Sequence, residues 1–422
     1  MSFRTKLTLL CIAVSMGGMQ VTLAEIVQID QSSTVTLSSL TQNVYDRHPA
    51  LHNQLAQQQQ MEANVDLANA TFSNVKSITL THQNDAIGSS DGLQEWEATV
   101  DMPLWLPGQK QQQRLLSDKM SAELPAYKDK VRLDASAKVR TLVWNVVVAN
   151  NANKQADQLW QTAKKLEKDV AARVKAGELA GTQLLLASTN ALEMHKQYLL
   201  TEAALEQALN SYSYITGEHS FPVAYEESLS KDIDRNQQHN ASVRIAPQHP
   251  SLLLLDQRIN TLRAQQNSAR FDGAVNPSLS IGLRSERGLH GEDFNNSIGV
   301  GINFALDNDV YRRPAIANAA KELADAEILR LQLERELNID LFSQLHDLET
   351  KQNQLQLVSE QNTITKQYYA LQLRAFELGE IDLVNLLQSQ SLANETLNRK
   401  QALELDIKRM IAMVNQSSGL VL

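Results

Sequence analysis

The second half of this chain repeats the first. His48-Pro49-Ala50-Leu51 returns as His249-Pro250-Ser251-Leu252, an offset of 201. From Trp96 onward the offset is 202: Gly177-Glu178 returns as Gly379-Glu380, Leu184-Leu185 as Leu386-Leu387, and Gly217 as Gly419. One inserted residue in a polar stretch accounts for the step, and loops tolerate such insertions. The expected organisation is therefore a pair of like units, 25–217 and 248–422. They are joined by a linker at 218–247 that contains Pro222 and Pro247 and shows no clear period.

Each unit carries the same order of signals. A helix of about 24 residues starts at His48-Pro49 or His249-Pro250, with proline in the first turn. Two strands follow, then a very long helix, roughly Gln109–Lys175 or Pro314–Phe376. A tight turn at Gly177 or Gly379 leads into a return helix, about Thr182–Ile215 or Leu383–Gln416. The chain has only 16 Gly and 9 Pro in 422 residues, so turns are few and elements long. In the second long helix Ile316, Ala319, Leu323, Ala326, Leu329, Leu333, Leu337, Leu341, Leu345 and Leu348 form an apolar seam. Its mean step of about 3.56 lies between the coiled-coil and straight-helix repeats. Some 63 residues at 1.5 Å each reach about 95 Å, far beyond a compact domain. The return helix covers only half of that seam, so the short helix is expected to stack end to end with it and cover the rest. Pro125 interrupts the first long helix where Glu327 stands in the second, and a kink or a late helix start is expected there.

The strands alternate. Trp96, Ala98, Val100, Met102 and Leu104 are separated by Glu95, Glu97, Thr99, Asp101 and Pro103. Ile298, Val300, Ile302, Phe304 and Leu306 are separated by Ser, Gly and Asn, and finally Ala305. Ile78 and Leu80, and Leu279, Ile281 and Leu283, alternate with Ser, Thr and Gly. Period two is the strand signature. Strands of about ten residues with one apolar and one polar face match a transmembrane barrel, lipid outside and water inside. Four strands cannot close around a channel, so closure requires several chains.

The N-terminus reads as a secretory signal, 1–24. Arg4 and Lys6 precede an uncharged apolar run, Leu7 to Met19, and Thr22-Leu23-Ala24 sets cleavage before Glu25. The one cysteine, Cys11, falls within that run, so no disulfide, thiolate metal site or lipid-anchoring cysteine is expected in the mature chain. After Ala24 no apolar stretch is long enough for a membrane helix, so any span must be made of strands.

Charge and motifs exclude other classes. With 39 Lys+Arg against 48 Asp+Glu the chain is acidic, net −9, which argues against nucleic acid as a partner. There is no phosphate loop, no GxSxG and no HExxH. Gly299-Val300-Gly301 lies in a strand pattern without the third glycine of a nucleotide fingerprint. His48 and His52 have the spacing of a ligand pair on one helix face, but they read as a helix-start histidine and its exposed neighbour. No catalytic residue, cofactor or metal site is assigned, and no enzymatic activity is expected.

Together these residues resemble the TolC-type outer-membrane efflux proteins over almost the whole mature chain. The likeness rests on Val35-Thr36-Leu37, Arg47–Leu51, Met102–Gln109, and the turns Ala176–Leu185 and Leu378–Leu387 in their duplicated order. The resemblance implies a mainly α fold with a small transmembrane β part. Three copies would share a twelve-strand barrel in outer-membrane lipid, continued by a helical barrel into the periplasm. It also implies docking of a periplasmic adaptor (membrane fusion) protein and an inner-membrane pump at the helical tip. By the same resemblance Gly177, Glu178, Leu179, Gly379, Glu380 and Ile381 form the tip and adaptor contact. Well-known members carry acids six and nine residues after the second glycine; here those positions are Asn385 and Gln388, with Asp382 nearby. These three are the candidate entrance constriction. The leading expectation is the outer-membrane channel of a tripartite efflux or export system for small molecules or ions. The alternatives are a type I protein-secretion duct and a periplasmic or surface coiled-coil protein with no channel. The exported substrate is not specified by the sequence.

Overall fold

The computed structural model describes residues 31–230, 233, 244–304, 306 and 309–422. The expected signal segment, 1–24, and part of the linker lie outside them. In chain order the elements are β1 (Gln31–Ser32), α1 (Leu37–Asp46), α2 (Ala50–Asn69), β2 (Ser77–Asn84), β3 (Gln94–Pro103), α3 (Gln109–Lys175), α4 (Gly181–Thr216) and β4 (Phe221–Pro222). After the linker come α5 (Pro250–Ser268), β5 (Ser278–Arg287), β6 (Asn295–Asn303), α6 (Arg313–Glu377) and α7 (Leu383–Ser417). Among the described residues no helix is long and apolar enough to cross a membrane.

The long helices α3 and α6 have 67 and 65 residues, or about 100 Å each. Pro125 lies inside α3 and the helix runs past it, so the expected late start does not occur. The turn that loses its hydrogen bond to proline is braced from both sides. Asn53 on α2 donates to the Tyr127 hydroxyl (3.2 Å), and Arg258 on α5 lies 3.6 Å from Glu123. Tertiary packing thus holds a helix that local propensity would break.

Each long helix is covered by two shorter ones placed in line. On α3, α2 takes the first half (Gln113 Nε2 to Asn64 Oδ1, 3.0 Å) and α4 the second (Ser188 Oγ to Glu167 Oε1, 2.6 Å). On α6, α5 is tied by Arg330–Asp256 (2.8 Å) and α7 by Lys351–Asp406 (2.9 Å) and Thr365–Thr396 (2.7 Å). The joint between the in-line helices is a glycine. Gly217 ends α4 and Gly419 follows α7, with φ of 68° and 88°. A Cβ on Gly217 would meet the Arg47 guanidinium just before α2, and one on Gly419 would lie 2.7 Å from His249 Cδ2 at the start of α5. Both short helices begin the same way: His48 Nδ1 accepts from Ala50 N (3.1 Å) and His249 Nδ1 from Ser251 N (3.2 Å). Burial holds the His249 pKa below its usual value, favouring the neutral ring that this cap requires. Along α6 the expected seam is buried at Ala319, Leu323, Leu341, Leu345 and Leu348, whereas Leu329 faces outward.

The first half has one element the repeat did not foretell. α1 opens with a reciprocal Thr36–Ser39 capping box. It buries Leu40, Val44 and Tyr45 against Val131–Val147 of α3, in the largest core cluster. Nearby, three parts of the chain converge on one buried cation. Arg140 of α3 binds Glu227 of the linker through two nitrogens (2.8 and 2.7 Å), the Leu420 carbonyl (2.9 Å) and Gln416. A guanidinium so completely satisfied tolerates burial that an unpaired one would not.

The four longer strands form one antiparallel sheet in the order β2-β3-β5-β6. β1 and β4 make a separate two-residue parallel contact. The sequence alternation ran further than the strands do: β3 ends at Pro103 and β6 at Asn303, leaving Leu104 and Leu306 outside them.

Candidate functional site: the two-faced sheet and the paired tips

Register decides what the sheet is for. Ile78, Val100, Ile281 and Val300 stand in one cross-strand row, and Leu80, Ala98, Leu283 and Ile298 in the next. Directly paired residues share a face, so all four strands put their apolar side chains on one side. That side is bare: Ile78, Leu80, Ile298 and Val300 are each more than 65% exposed. The opposite face carries the rows Ser77, Asp101, Ser280, Gly301 and Thr79, Thr99, Gly282, Gly299. Asp101 accepts from Ser280 (2.7 Å), Glu97 from Thr99 (3.2 Å), and Arg284 pairs with Glu95 (2.8 Å) and Glu286 (2.6 Å). The outer edges of β2 and β6 have no strand partner among the described residues. A bare apolar face, a wetted polar face and two open edges cannot serve a soluble single chain.

At the far end of the long helices the two hairpin tips sit together. Gly177 (φ 79°) and Gly379 (φ 76°) each follow the last turn in the left-handed region. Glu178 N returns to Arg173 O and Glu380 N to Ala375 O, both at 2.9 Å, with Gly177 N on Val174 O and Gly379 N on Phe376 O. This paired pattern is the Schellman end. Leu179 and Ile381 fold back onto one shared cluster with Val170, Ala187, Phe376, Leu383 and Leu386. Arg173 binds across the gap, to the Phe376 carbonyl (3.3 Å) and over its ring (5.4 Å). Glu178 and Glu380 are exposed. Asp382 is the N-cap of α7, its carboxylate accepting from Asn385 N at 2.9 Å, while the Asn385 and Gln388 side chains are exposed on the first turns. The first tip has Ala180 in the place of Asp382 and no side-chain cap.

Two further features complete the surface. Leu185, Leu192 and Leu199 on α4 are spaced by seven and exposed, as are Leu357, Ile364, Leu371 and Leu378 at the end of α6. Neither stripe is covered by the chain itself.

No family model and no curated protein sequence matches the chain. Solved structures do. The outer-membrane channel OprN superposes with a TM-score of 0.69 at 16% identity, over 91% of this chain and 89% of that one. CusC, described for transmembrane channel formation, gives 0.68 at 13%, over 91% and 92%. The Campylobacter jejuni CmeC outer membrane channel gives 0.67 at 15%, over 92% and 89%. The chain has the TolC-type fold.

Within the TolC-type fold the strands, their two-faced alternation and the hairpin turns at Gly177 and Gly379 are legible in the sequence. The Arg173–Phe376 contact between the tips is not legible there, because it depends on hairpins about 200 residues apart and has no local signal. The two exposed stripes do have a sequence signal, their seven-residue spacing. They lie past Leu348, where the apolar seam of α6 ends, or on α4. Among the described residues no cluster of metal-ligating side chains is present.

Proposed function

We propose that this chain is the outer-membrane channel of a tripartite export system. Three copies would pool four strands each into a closed barrel, with the apolar face toward lipid and the polar face lining the pore. The two-faced, open-edged sheet at one end of helices about 100 Å long carries this reading. The exposed stripes supply the means of assembly. Measured from the tip, Leu378, Leu371, Ile364 and Leu357 fall at about 0, 10, 21 and 31 Å, and Leu185, Leu192 and Leu199 at about 6, 16 and 27 Å. The two sets interleave, as knobs into holes require when α4 of one copy meets α6 of the next. Such a head-to-tail contact forms a ring when its rotation closes, here after three copies. The tips at Gly177–Leu179 and Gly379–Ile381 are then the periplasmic end, where an adaptor and an inner-membrane pump would dock, and Asp382, Asn385 and Gln388 are the candidate constriction. Nothing in this arrangement calls for bond chemistry, a cofactor or nucleic acid.

Mass measurement of the detergent-purified protein, followed by planar-bilayer recording, tests the proposal. Three copies and stable conductance are expected. A monomer with full strand content and no conductance would return the chain to the class of coiled-coil structural proteins.

A further inference from the structure

The two ends of the sheet differ in charge. At the end from which the helices leave, the described residues of the connectors and first helical turns in 71–76, 104–114, 270–277 and 306–314 include six cations (Lys76, Lys110, Arg114, Arg270, Arg312, Arg313) against two acids (Asp272, Asp309), with Asp307 of the same stretch lying outside the described residues. At the opposite end, the loops 85–93 and 288–294 hold no Lys or Arg against four acids (Asp85, Asp91, Glu292, Asp293). In a chain of net −9 the basic collar is a local reversal of sign.

The collar is a built surface. Ser73 N bonds Pro103 O (3.1 Å), Leu104 N bonds Pro277 O (2.7 Å), and Asn276 Nδ2 bonds Leu104 O (2.8 Å), so connectors from both halves are knit together. It exposes large apolar groups beside its cations: Val75, Val275, Phe304, Leu306 and Tyr311. Of these, Val275 and Phe304 keep the two-residue spacing of the bare-face residues Leu279 and Ile302 past the strand ends. Aromatic rings hold two of the ammonium groups, Lys76 over Phe72 (5.3 Å) and Lys110 over Trp105 (5.9 Å), and Lys110 also donates to Ala70 O (2.7 Å). Lys76, Arg114, Arg270 and Arg313 are exposed and have no ion-pair partner among the described residues. Apolar stems and rings at an interface with cationic heads beyond them suit the boundary between acyl chains and phosphate.

We propose that this collar binds the anionic headgroups of phospholipids in the leaflet nearest the helices and so fixes the depth at which the barrel sits. The proposal rests on the membrane-channel reading above and adds a ligand class to it. Each Lys or Arg near an anionic surface contributes about fivefold to binding, and the effect fades within a Debye length.

Thermal unfolding of the purified trimer in neutral detergent tests it, with phosphatidylglycerol, phosphatidylcholine or inorganic phosphate added. Phosphatidylglycerol is expected to raise the midpoint, and the other two to leave it unchanged. In K76Q/R270Q/R313Q the phosphatidylglycerol needed for the same shift should rise by roughly fivefold per charge removed. K154Q/K165Q/K168Q, on the far part of α3, should behave as the parent. An equal response to phosphatidylcholine or phosphate, or an unaltered response in the collar variant, overturns the proposal. Should the collar variant not fold, added salt on the parent protein gives the answer: a phosphatidylglycerol shift that salt does not weaken is not headgroup binding. Loss of the trimer or of conductance in every lipid would instead sink the channel reading.

Discussion

Gly217 and Gly419 occupy equivalent places, yet they differ from the tip glycines in what surrounds them. All four have φ in the left-handed region, where a side chain costs about 1–2 kcal/mol. At Gly177 and Gly379 nothing lies within 4 Å of an added Cβ, while at Gly419 it would meet His249 at 2.7 Å and Pro250 at 3.0 Å. Overpacking of that kind adds about 1–3 kcal/mol. Gly419→Ala is therefore expected to destabilise the protein clearly more than Gly177→Ala, as read by chemical denaturation. Equal effects would mean that the in-line joint has slack. The sequence paired Gly217 with Gly419 but held no sign of why, because the atoms that forbid a side chain belong to the far end of the same unit. Asp382 shows the same limit. Its place beside Asn385 was plain in the sequence, but its commitment to the backbone of α7 was not.

The elements themselves were more legible. Long helices announce themselves through a sustained apolar period and the absence of glycine and proline, and α3, α4, α6 and α7 lie within a residue or two of where that period put them. α1 was missed because ten residues give too short a period, and β1 and β4 because two residues give none. Pro125 misled in the ordinary way, since local propensity yields to neighbours that pack on the turn. The strand register gives a prediction at this scale. Val300 lies on the bare face and Asn303 on the polar one. A charge on the lipid face near mid-membrane costs about 2–4 kcal/mol. Val300→Arg should thus reduce recovery in the membrane fraction, while Asn303→Arg should insert normally and change conductance; like behaviour of the two would mean the faces are misassigned. The helical stripes give another. Ile364→Asp with Leu371→Asp places two charges in the proposed seam between copies and should leave helix content intact while abolishing the trimer. A trimer that survives by mass measurement would place the contact between copies elsewhere.

For the whole molecule, the sheet register and the proposed three-fold repetition together set the sign that the pore wall would have. The polar face carries Glu95, Glu97, Asp101 and Glu286 against Arg284. Arg284 is taken up by Glu95 and Glu286, whereas among the described residues Glu97 and Asp101 hold the hydroxyl partners Thr99 and Ser280 and no ion pair. In the proposed trimer these carboxylates would repeat in three copies around one lumen and set a negative potential in a confined space, where field lines are focused rather than dispersed. At the candidate constriction Asn385 and Gln388 are neutral and the charge of Asp382 is turned to its own backbone, while the exposed Glu178 and Glu380 stand on the adjacent turns. Ion preference in this channel is thus expected to arise in the barrel and not at the entrance. Under a salt gradient across a planar bilayer the reversal potential should show cations passing several-fold more readily than anions. Glu97→Gln with Asp101→Asn should bring it most of the way to zero, while Asp382→Asn should move it little. Both barrel substitutions keep size and hydrogen-bonding capacity, so a loss of preference would report charge and not shape. If Asp382→Asn abolishes the preference and the barrel pair does not, the acids that matter are at the tip, and the entrance is narrower and more strongly charged than its neutral amides suggest.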